Sequence, residues 1–379
     1  MPASPSNALS GSVLTPAGWV VGKVVFEGAR IMRVEGDSLA LASTPKPPYI
    51  IPGFIDLHVH GAQGSDFAGG EESIRKFIRF HAKGGTVAIA PTTATAPVAV
   101  LDRALADIEK VRHSRGANEP IVIGAHLEGP FINPRKLGAQ LNATLDGDVD
   151  QAMKWADACR LAVATVAPEI PGGLEVIEAL TVRGCRVQIG HSLATFEQTA
   201  AAFGRGLAGF THLFNAMSGV DHRDPGVAAY ALSHGRYAEL ICDLNHVHPG
   251  ILLAAYRAIP RLYAITDATT AAGLPDGEYR SAGDKPVIKK GLRITLADGK
   301  TLAGSAITML DAFRNLVSLG LSLAEASELC ATRQAEYLGL ELFGVIAPGK
   351  AASIVALDGD LSPQSVWVEG EPVDLGGQR

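Results

Sequence analysis

The sequence predicts an α/β protein: a (β/α)₈ TIM-like barrel with a small β-sandwich domain formed by the two chain ends. Three observations carry this expectation. Eight short, continuous apolar runs lie between residues 54 and 266, bounded by Gly, Pro or polar residues, as expected of parallel strands buried on both faces. Stretches with helical apolar spacing separate several of them, and strand–helix alternation along one chain builds a parallel α/β fold. Finally, the residues before 52 and after 343 alternate around Gly and Pro turns, the habit of antiparallel strands.

Taken in order, residues 1–52 are expected to form the N-terminal part of the sandwich, through Trp19-Val20-Val21, Lys23 to Gly28 and Arg30 to Val34. Residues 53–342 form the barrel. Its strands are read at Phe54 to His60, Thr86 to Ala90, Ile121 to Ala125, Leu161 to Ala167, Arg186 to Gly190, Ala208 to Thr211, Glu239 to Asp243 and Leu262 to Thr266. Helices are read at Glu71 to Lys83, Pro97 to Arg112, Gly173 to Arg183, Thr195 to Arg205 and Pro249 to Ala258. Gly-rich alternation near 275–303 reads as a β insertion after the eighth strand. Residues 343–379 return to the sandwich: Gly344 to Leu357 reads as two strands around a Pro-Gly turn, and Ser365 to Val373 as a hairpin.

The chemistry is written at the strand ends. His58 and His60 lie two apart on a strand and therefore point to the same side. Imidazole is the commonest side-chain metal ligand. Glu128, His191, His212 and Asp267 each follow a later apolar run. In a (β/α)₈ barrel the C-terminal strand ends gather at one face, where the active site lies. Six ligand-type residues there predict a metal site, whereas histidines scattered through a core would not choose strand ends so consistently. Asp267 could alternatively be a turn carboxylate. His126 reads as structural or as support for a ligand. His81, His113 and His234 read as core or surface residues, and His248 stays ambiguous.

Composition bounds the remaining options. The 379 residues suffice for a barrel plus a small domain. A net charge of −6 without a basic run argues against nucleic acid. No apolar run approaches the roughly 20 residues of a membrane helix. Met1 to Ser6 lacks the basic and apolar regions of a signal peptide and reads as a frayed tail. The four cysteines, Cys159, Cys185, Cys242 and Cys330, show no C-x-x-C spacing and read as small buried thiols, which makes a reducing cytoplasm the default compartment.

The chain resembles the N-acetylglucosamine-6-phosphate deacetylase family of the amidohydrolase superfamily over nearly its whole length. The matching stretches are PGFIDLHVHG (52–61), HLEGPF (126–131), GHS (190–192), THLFNAM (211–217), Arg223-Asp224-Pro225-Gly226, His246-Val247-His248, TDA (266–268), LAGSAITM (302–309) and GVIAPGKAASIV (344–355). HLEGPF together with THLFNAM is specific to this deacetylase group, while PGFIDxHxH and the C-terminal stretch mark only the superfamily. The resemblance implies that Glu128, His191 and His212 hold the main metal, that His58 and His60 serve a second, and that Asp267 is the acid/base and a further metal-side carboxylate. It implies one or two divalent ions per chain, zinc first, with iron, cobalt or manganese as alternatives. It places Ala139, Asn215, Ala216, Arg223 and His246 around an amino sugar phosphate, and it implies a homodimer. Three positions depart from the family pattern: Gly138-Ala139-Gln140 where Gln140 replaces a histidine, Leu244-Asn245 before His246, and Ala306 after Gly304-Ser305. The first two line the expected sugar pocket.

The residues fit amide hydrolysis. A metal polarises a carbonyl and lowers the pKa of bound water toward about 7, and Glu128, His191 and His212 leave an open position for that water. Asp267 can take up a proton and return it to the departing amine. Superfamily relatives with a carboxylated bridging lysine carry it at the end of the fourth strand; this run has no lysine, so the resemblance implies Glu128 as the bridging carboxylate instead. Arg223 offers a planar fork for phosphate, or a salt bridge to Asp221 or Asp224. Alternatives to the leading reading are deacetylation of another amino sugar (N-acetylgalactosamine 6-phosphate or an unphosphorylated sugar), hydrolysis of an N-acyl amino acid, and a non-catalytic binding protein.

Overall fold

The computed structural model describes residues 6–40, 43–281 and 285–376. Most of the N-terminal tail read from Met1 to Ser6 lies outside the described residues.

The barrel strands are Phe54–Val59, Thr86–Pro91, Ile121–Val122 with Ala125–Glu128, Leu161–Val166, Arg186–Ile189, Gly209–Phe210, Tyr237–Ile241 and Arg261–Ile265. Gly124, at φ 139°, breaks the third strand in two; this backbone conformation suits only glycine. Neighbouring strands pair in parallel. The ring closes between the last strand and the first: Asp267 N–H donates to His58 O at 2.9 Å and His60 N–H to Ala268 O at 2.8 Å. The eight strands are those expected from the apolar runs.

The barrel interior is polar in its middle layer. Gln188 Nε2 donates to Tyr263 Oη at 2.7 Å, although the fifth and eighth strands are not neighbours, so the bond crosses the lumen. Thr211 donates to Gln188 at 3.0 Å, Thr165 and Thr211 hydroxyls meet at 2.8 Å, and Thr165 meets His126 Nε2 at 2.8 Å. These groups are almost wholly buried and partner one another, as buried polar groups must. The chain connects them into one network beneath the catalytic face.

The helices read from sequence lie at Glu71–Lys83, Val98–His113, Gly173–Val182, Phe196–Gly204 and Pro249–Ala258. Further helices lie at Val149–Ala158, Val227–His234 and Met309–Ser318; the first and last carry a clear apolar face that the sequence reading did not use, and Val227–His234 is short. The segment following the last of these packs the barrel through Arg333 and Gln334, whose side chains donate to Leu262 O and Ala264 O. No helix among the described residues is long and apolar enough to cross a membrane.

Both chain ends contribute to one seven-stranded sheet. Ser6–Thr15, Gly18–Glu27 and Arg30–Ser38 pair antiparallel; Tyr49–Pro52 joins them to Ile354–Leu357, Pro363–Val368 and Glu371–Pro372. The sheet folds over on itself, since Ile31 N–H donates to Lys350 O and Gly349 N–H to Ile31 O. Phe26 then packs edge-on against Trp367, ring centres 5.0 Å apart, over Val24, Ile50 and Ile354. Only one strand forms between Gly344 and Leu357; the residues around Pro348 and Gly349 make the turn that closes the sheet instead of a first strand. A separate antiparallel sheet of four strands spans Gly277–Arg280, Pro286–Lys290, Arg293–Leu296 and Leu302–Ser305. It covers one side of the catalytic face.

Candidate active site

A cavity of about 510 Å³ opens at the C-terminal ends of the barrel strands, lined at its floor by His60, Glu128, His191, His212 and Asp267. The backbone there is unusual. His191, His212, Ala216, Leu244 and Asp267 all have positive φ, between 29° and 60°. Non-glycine residues rarely adopt this region, and where they do the surrounding structure must enforce it. At His191, His212 and Asp267 this turns the chain sharply just past a strand end and brings the side chain to the barrel mouth.

Two sets of donors converge. Glu128 Oε1 lies 3.0 Å from His212 Nε2 and 3.1 Å from His191 Nε2, and these two nitrogens are 3.1 Å apart. Beside them, His58 Nε2 lies 3.2 Å from His60 Nε2, and Asp267 Oδ1 lies 3.2 Å from His60 and 3.5 Å from His58. Glu128 stands between the sets, its Oε2 3.3 Å from His60 Nε2 and its Oε1 3.5 Å from His58 Nε2. The structure thus brings together all six residues singled out at strand ends.

The other face of each ring decides what this arrangement can hold. His191 Nδ1 lies 2.7 Å from the Lys136 carbonyl, which can only accept, so Nδ1 carries the proton and Nε2 presents a lone pair. His58 Nδ1 is likewise held 2.9 Å from Glu239 Oε2. Nitrogens with lone pairs facing one another at such distances cannot be satisfied by hydrogen bonds alone. Nor are Glu128, Glu239 and Asp267 compensated by a Lys or Arg ion pair among the described residues; the basic groups that face them are histidines. Burial would lower His60, but its bonds to Asp267 and Glu128 raise it to about 9. Burial would lower His58 too, yet the charges of Glu128 and Glu239 push it well above its ordinary value. Conversely, burial would raise Asp267, and the His60 bond with the charges of His58, His60 and His212 holds it at about 2. The pocket asks for positive charge at the imidazole tips. Oxygen and nitrogen donors at these separations fit a divalent ion such as zinc, and a ligand histidine whose second nitrogen is tied to a carboxylate or carbonyl is the usual support for one.

Glu239 is the residue that sequence reasoning passed over. It is fully buried, orients His58 and also accepts from the His212 backbone N–H at 3.2 Å. Its signal was present as a single carboxylate inside an otherwise apolar run, since buried carboxylates are rare unless paired. His126 is structural: Nδ1 meets Leu57 O at 2.9 Å, Nε2 meets Thr165, and its ring packs edge-on against His58. His248 caps the helix after it by accepting from Gly250 N–H at 3.1 Å. His81 is buried, while His113 and His234 lie exposed on helices.

On the substrate side, Ala139, Asn215, Ala216 and His246 line the cavity. His246 Nδ1 bonds Asp243 Oδ2 at 2.8 Å; burial would lower this ring, and the Asp243 contact raises it. The Asn215 amide nitrogen turns to His212 O and Leu213 O, at 3.1 and 3.3 Å, so its donors support the turn. Arg223 is placed elsewhere in this chain. It lies exposed, outside the cavity lining, because Asp221 Oδ1 accepts from the backbone N–H groups of Arg223 and Asp224 and holds the loop at the surface. Its guanidinium makes no ion pair among the described residues, so the salt bridge considered for it is absent as well. The cations that do line the cavity are Arg135, Lys136 and Lys300, together with His246. Arg135 and Lys136 follow the HLEGPF stretch as an adjacent pair, a signal not used in reading the sequence. Lys300 comes from a turn of the inserted sheet.

Known proteins resemble this chain in sequence and in fold. The sequence model described as the amidohydrolase family matches residues 49–373. N-acetylgalactosamine-6-phosphate deacetylase of Escherichia coli O157:H7 is 38% identical over 331 residues, covering 85% of this chain and 87% of that protein. N-acetylglucosamine-6-phosphate deacetylase of Vibrio furnissii is 37% identical over 361 residues, 92% of this chain and 90% of its own. Among solved structures, an aspartate-to-alanine variant of N-acetyl-D-glucosamine-6-phosphate deacetylase from Mycobacterium smegmatis, in complex with N-acetyl-D-glucosamine-6-phosphate, superposes with a TM-score of 0.89 at 30% identity, over 98% of this chain and 100% of that one.

Proposed function

The chain belongs to the amidohydrolase family, and from that premise we infer that it hydrolyses the N-acetyl amide of N-acetyl-D-glucosamine 6-phosphate, giving D-glucosamine 6-phosphate and acetate. The observation that carries this reading is the convergence of Glu128, His191 and His212 at 3.0–3.1 Å on the floor of a cavity whose outer lining is cationic.

Glu128, His191 and His212 would hold the ion, with His58, His60 and Asp267 beside them. A divalent ion bound there supplies a Lewis acid that polarises the amide carbonyl and makes water nucleophilic near neutral pH. The remaining chemistry falls to this chain's own groups. Asp267 lines the cavity and is only 8% exposed. Its carboxylate takes the proton released as water attacks the carbonyl carbon, then delivers it to the amine nitrogen as the C–N bond breaks. Both Asp267 and its positioning bond to His60 come from strand ends fixed by the barrel closure. Lys136, Lys300 and His246 meet a phosphate at the outer cavity, where charge-assisted bonds are strongest for a doubly charged oxyanion.

Zinc is the ion of this reading, the cytoplasm its compartment and a homodimer its assembly; metal analysis, cell fractionation and light scattering test each in turn. A second substrate has a specific observation behind it, since the Escherichia coli relative acts on the epimeric N-acetylgalactosamine 6-phosphate. The deciding experiment measures acetate release from both phosphorylated sugars and from unphosphorylated N-acetylglucosamine. The reading expects the highest kcat/KM on N-acetylglucosamine 6-phosphate. Preference for the galacto epimer would move the substrate and keep the chemistry, while no release from any of the three would remove both.

A further inference from the structure

We propose that Gln140 is a positioning residue that dedicates the Glu128 carboxylate to one ion, so that the chain holds a single tightly bound ion at Glu128, His191 and His212 and a second, at His58, His60 and Asp267, far more weakly. The proposal rests on the metal-site reading above and extends it to stoichiometry.

Gln140 is buried, 8% exposed, on the loop after the third barrel strand. Its side-chain oxygen accepts from the Thr95 backbone N–H at 2.5 Å. A backbone N–H can only donate, so the amide orientation is determined: the NH₂ end faces the other way. That end donates to Glu128 Oε2. The residue cannot drift, because its own N–H bonds Leu137 O at 2.9 Å and its carbonyl accepts from Lys285 Nζ at 2.6 Å. Gln140 thus joins the loops after the second and third strands and clamps one named oxygen of Glu128.

The choice of oxygen matters. A carboxylate that bridges two ions gives one oxygen to each. Here Oε1 lies 3.1 and 3.0 Å from His191 and His212 and farther, 3.5 Å, from His58, while Oε2 is the oxygen nearest His60, at 3.3 Å. Oε2 is the oxygen the amide occupies. A hydrogen bond there withdraws electron density from the lone pairs a second ion would use and fixes the carboxylate plane toward the first set. The second set is then left with two neutral imidazoles and Asp267 as its only undivided anionic donor. The two-residue histidine pattern of the first strand would by itself suggest two equivalent ions; Gln140 breaks that equivalence.

Metal content measures this without reference to catalysis. Apo protein is loaded with excess Zn²⁺, dialysed against metal-free buffer and analysed by mass spectrometry, and the two sites are resolved by competition with a chelating dye. Wild type is expected to retain about one equivalent, with the second dissociating at least ~10-fold more readily. Gln140→Leu and Gln140→Met, of similar length but unable to donate, are expected to tighten the second equivalent and bring retention toward two, with circular dichroism confirming the fold. Two equivalents of equal affinity in wild type would overturn the proposal while leaving the metal site intact. So would folded Gln140 variants with an unchanged second affinity. Retention of no ion by wild type would overturn the metal-site reading itself. Should both variants fail to fold, the two wild-type affinities still decide.

Discussion

Asp267 shows how much a single residue depends on its place. Its carboxylate is buried among three histidines and held 3.2 Å from His60. Asp267→Asn keeps the shape and cannot shuttle a proton, so kcat is expected to fall by at least ~10²-fold while bound metal and fold persist; near-normal kcat would assign the proton transfer elsewhere. A second prediction concerns stability. His81 is buried with Nε2 3.3 Å from Gly61 O, and burial lowers it to about 4. The unfolded chain titrates near 6.5. Between these values the unfolded state binds more protons, so the contribution is whole above about 6.5 and is lost as pH falls toward 4, by up to ~3 kcal/mol. His81→Gln removes this dependence, and the difference in thermal midpoint between parent and variant should change across pH 7 to 4; a constant difference would contradict the assignment. At this scale the sequence was most legible where residue type and strand end coincided. It was least legible for Glu239, whose partner His58 is 181 residues away.

Elements carry the site through their ends. Strand C-termini turn through left-handed backbone at His191, His212 and Asp267, and before His191 the space for the turn is made by Gly190. A Cβ at Gly190 would lie 2.7 Å from Thr211 Cβ and 2.8 Å from Thr165 Cγ2 in the packed lumen. Gly190→Ala is therefore expected to cost about 1–3 kcal/mol of stability and, by displacing His191, to weaken metal retention; an unchanged thermal midpoint and metal content would refute this account of the lumen. The loop from Asn133 to Gln140 is equally exacting, since its Lys136 carbonyl orients His191 and its Lys136 side chain lines the cavity. Lys136→Ala should lower kcat/KM roughly tenfold for a phosphorylated sugar and little for an unphosphorylated one; equal losses would make Lys136 a support of the loop only. The apolar runs made all eight strands legible because each is buried on both faces. Val227–His234 was not, because eight residues leave weak periodicity; Val149–Ala158 was missed although it buries one apolar face through Ala152 and Trp155. The Pro348-Gly349 turn was legible, but the strand read before it does not form, and the turn bonds Ile31 from the opposite chain end instead.

For the whole molecule, the chain ends matter less as a second domain than as a clasp. Tyr49–Pro52, paired with both Ser6–Thr15 and Ile354–Leu357, runs directly into the first barrel strand and its two histidines. The barrel closure then places Asp267 against His58 and His60. The lumen network through Gln188 and Tyr263, and Glu239 beneath His58, make the floor of the site part of the folded core. On the proposed reading, this core holds the ion that makes amide hydrolysis possible. The most direct test strips the purified protein of metal and follows acetate release from N-acetyl-D-glucosamine 6-phosphate before and after Zn²⁺ is restored. Activity should vanish with the metal and return with it, and His212→Ala should abolish the return. Full activity in metal-free protein would contradict the account.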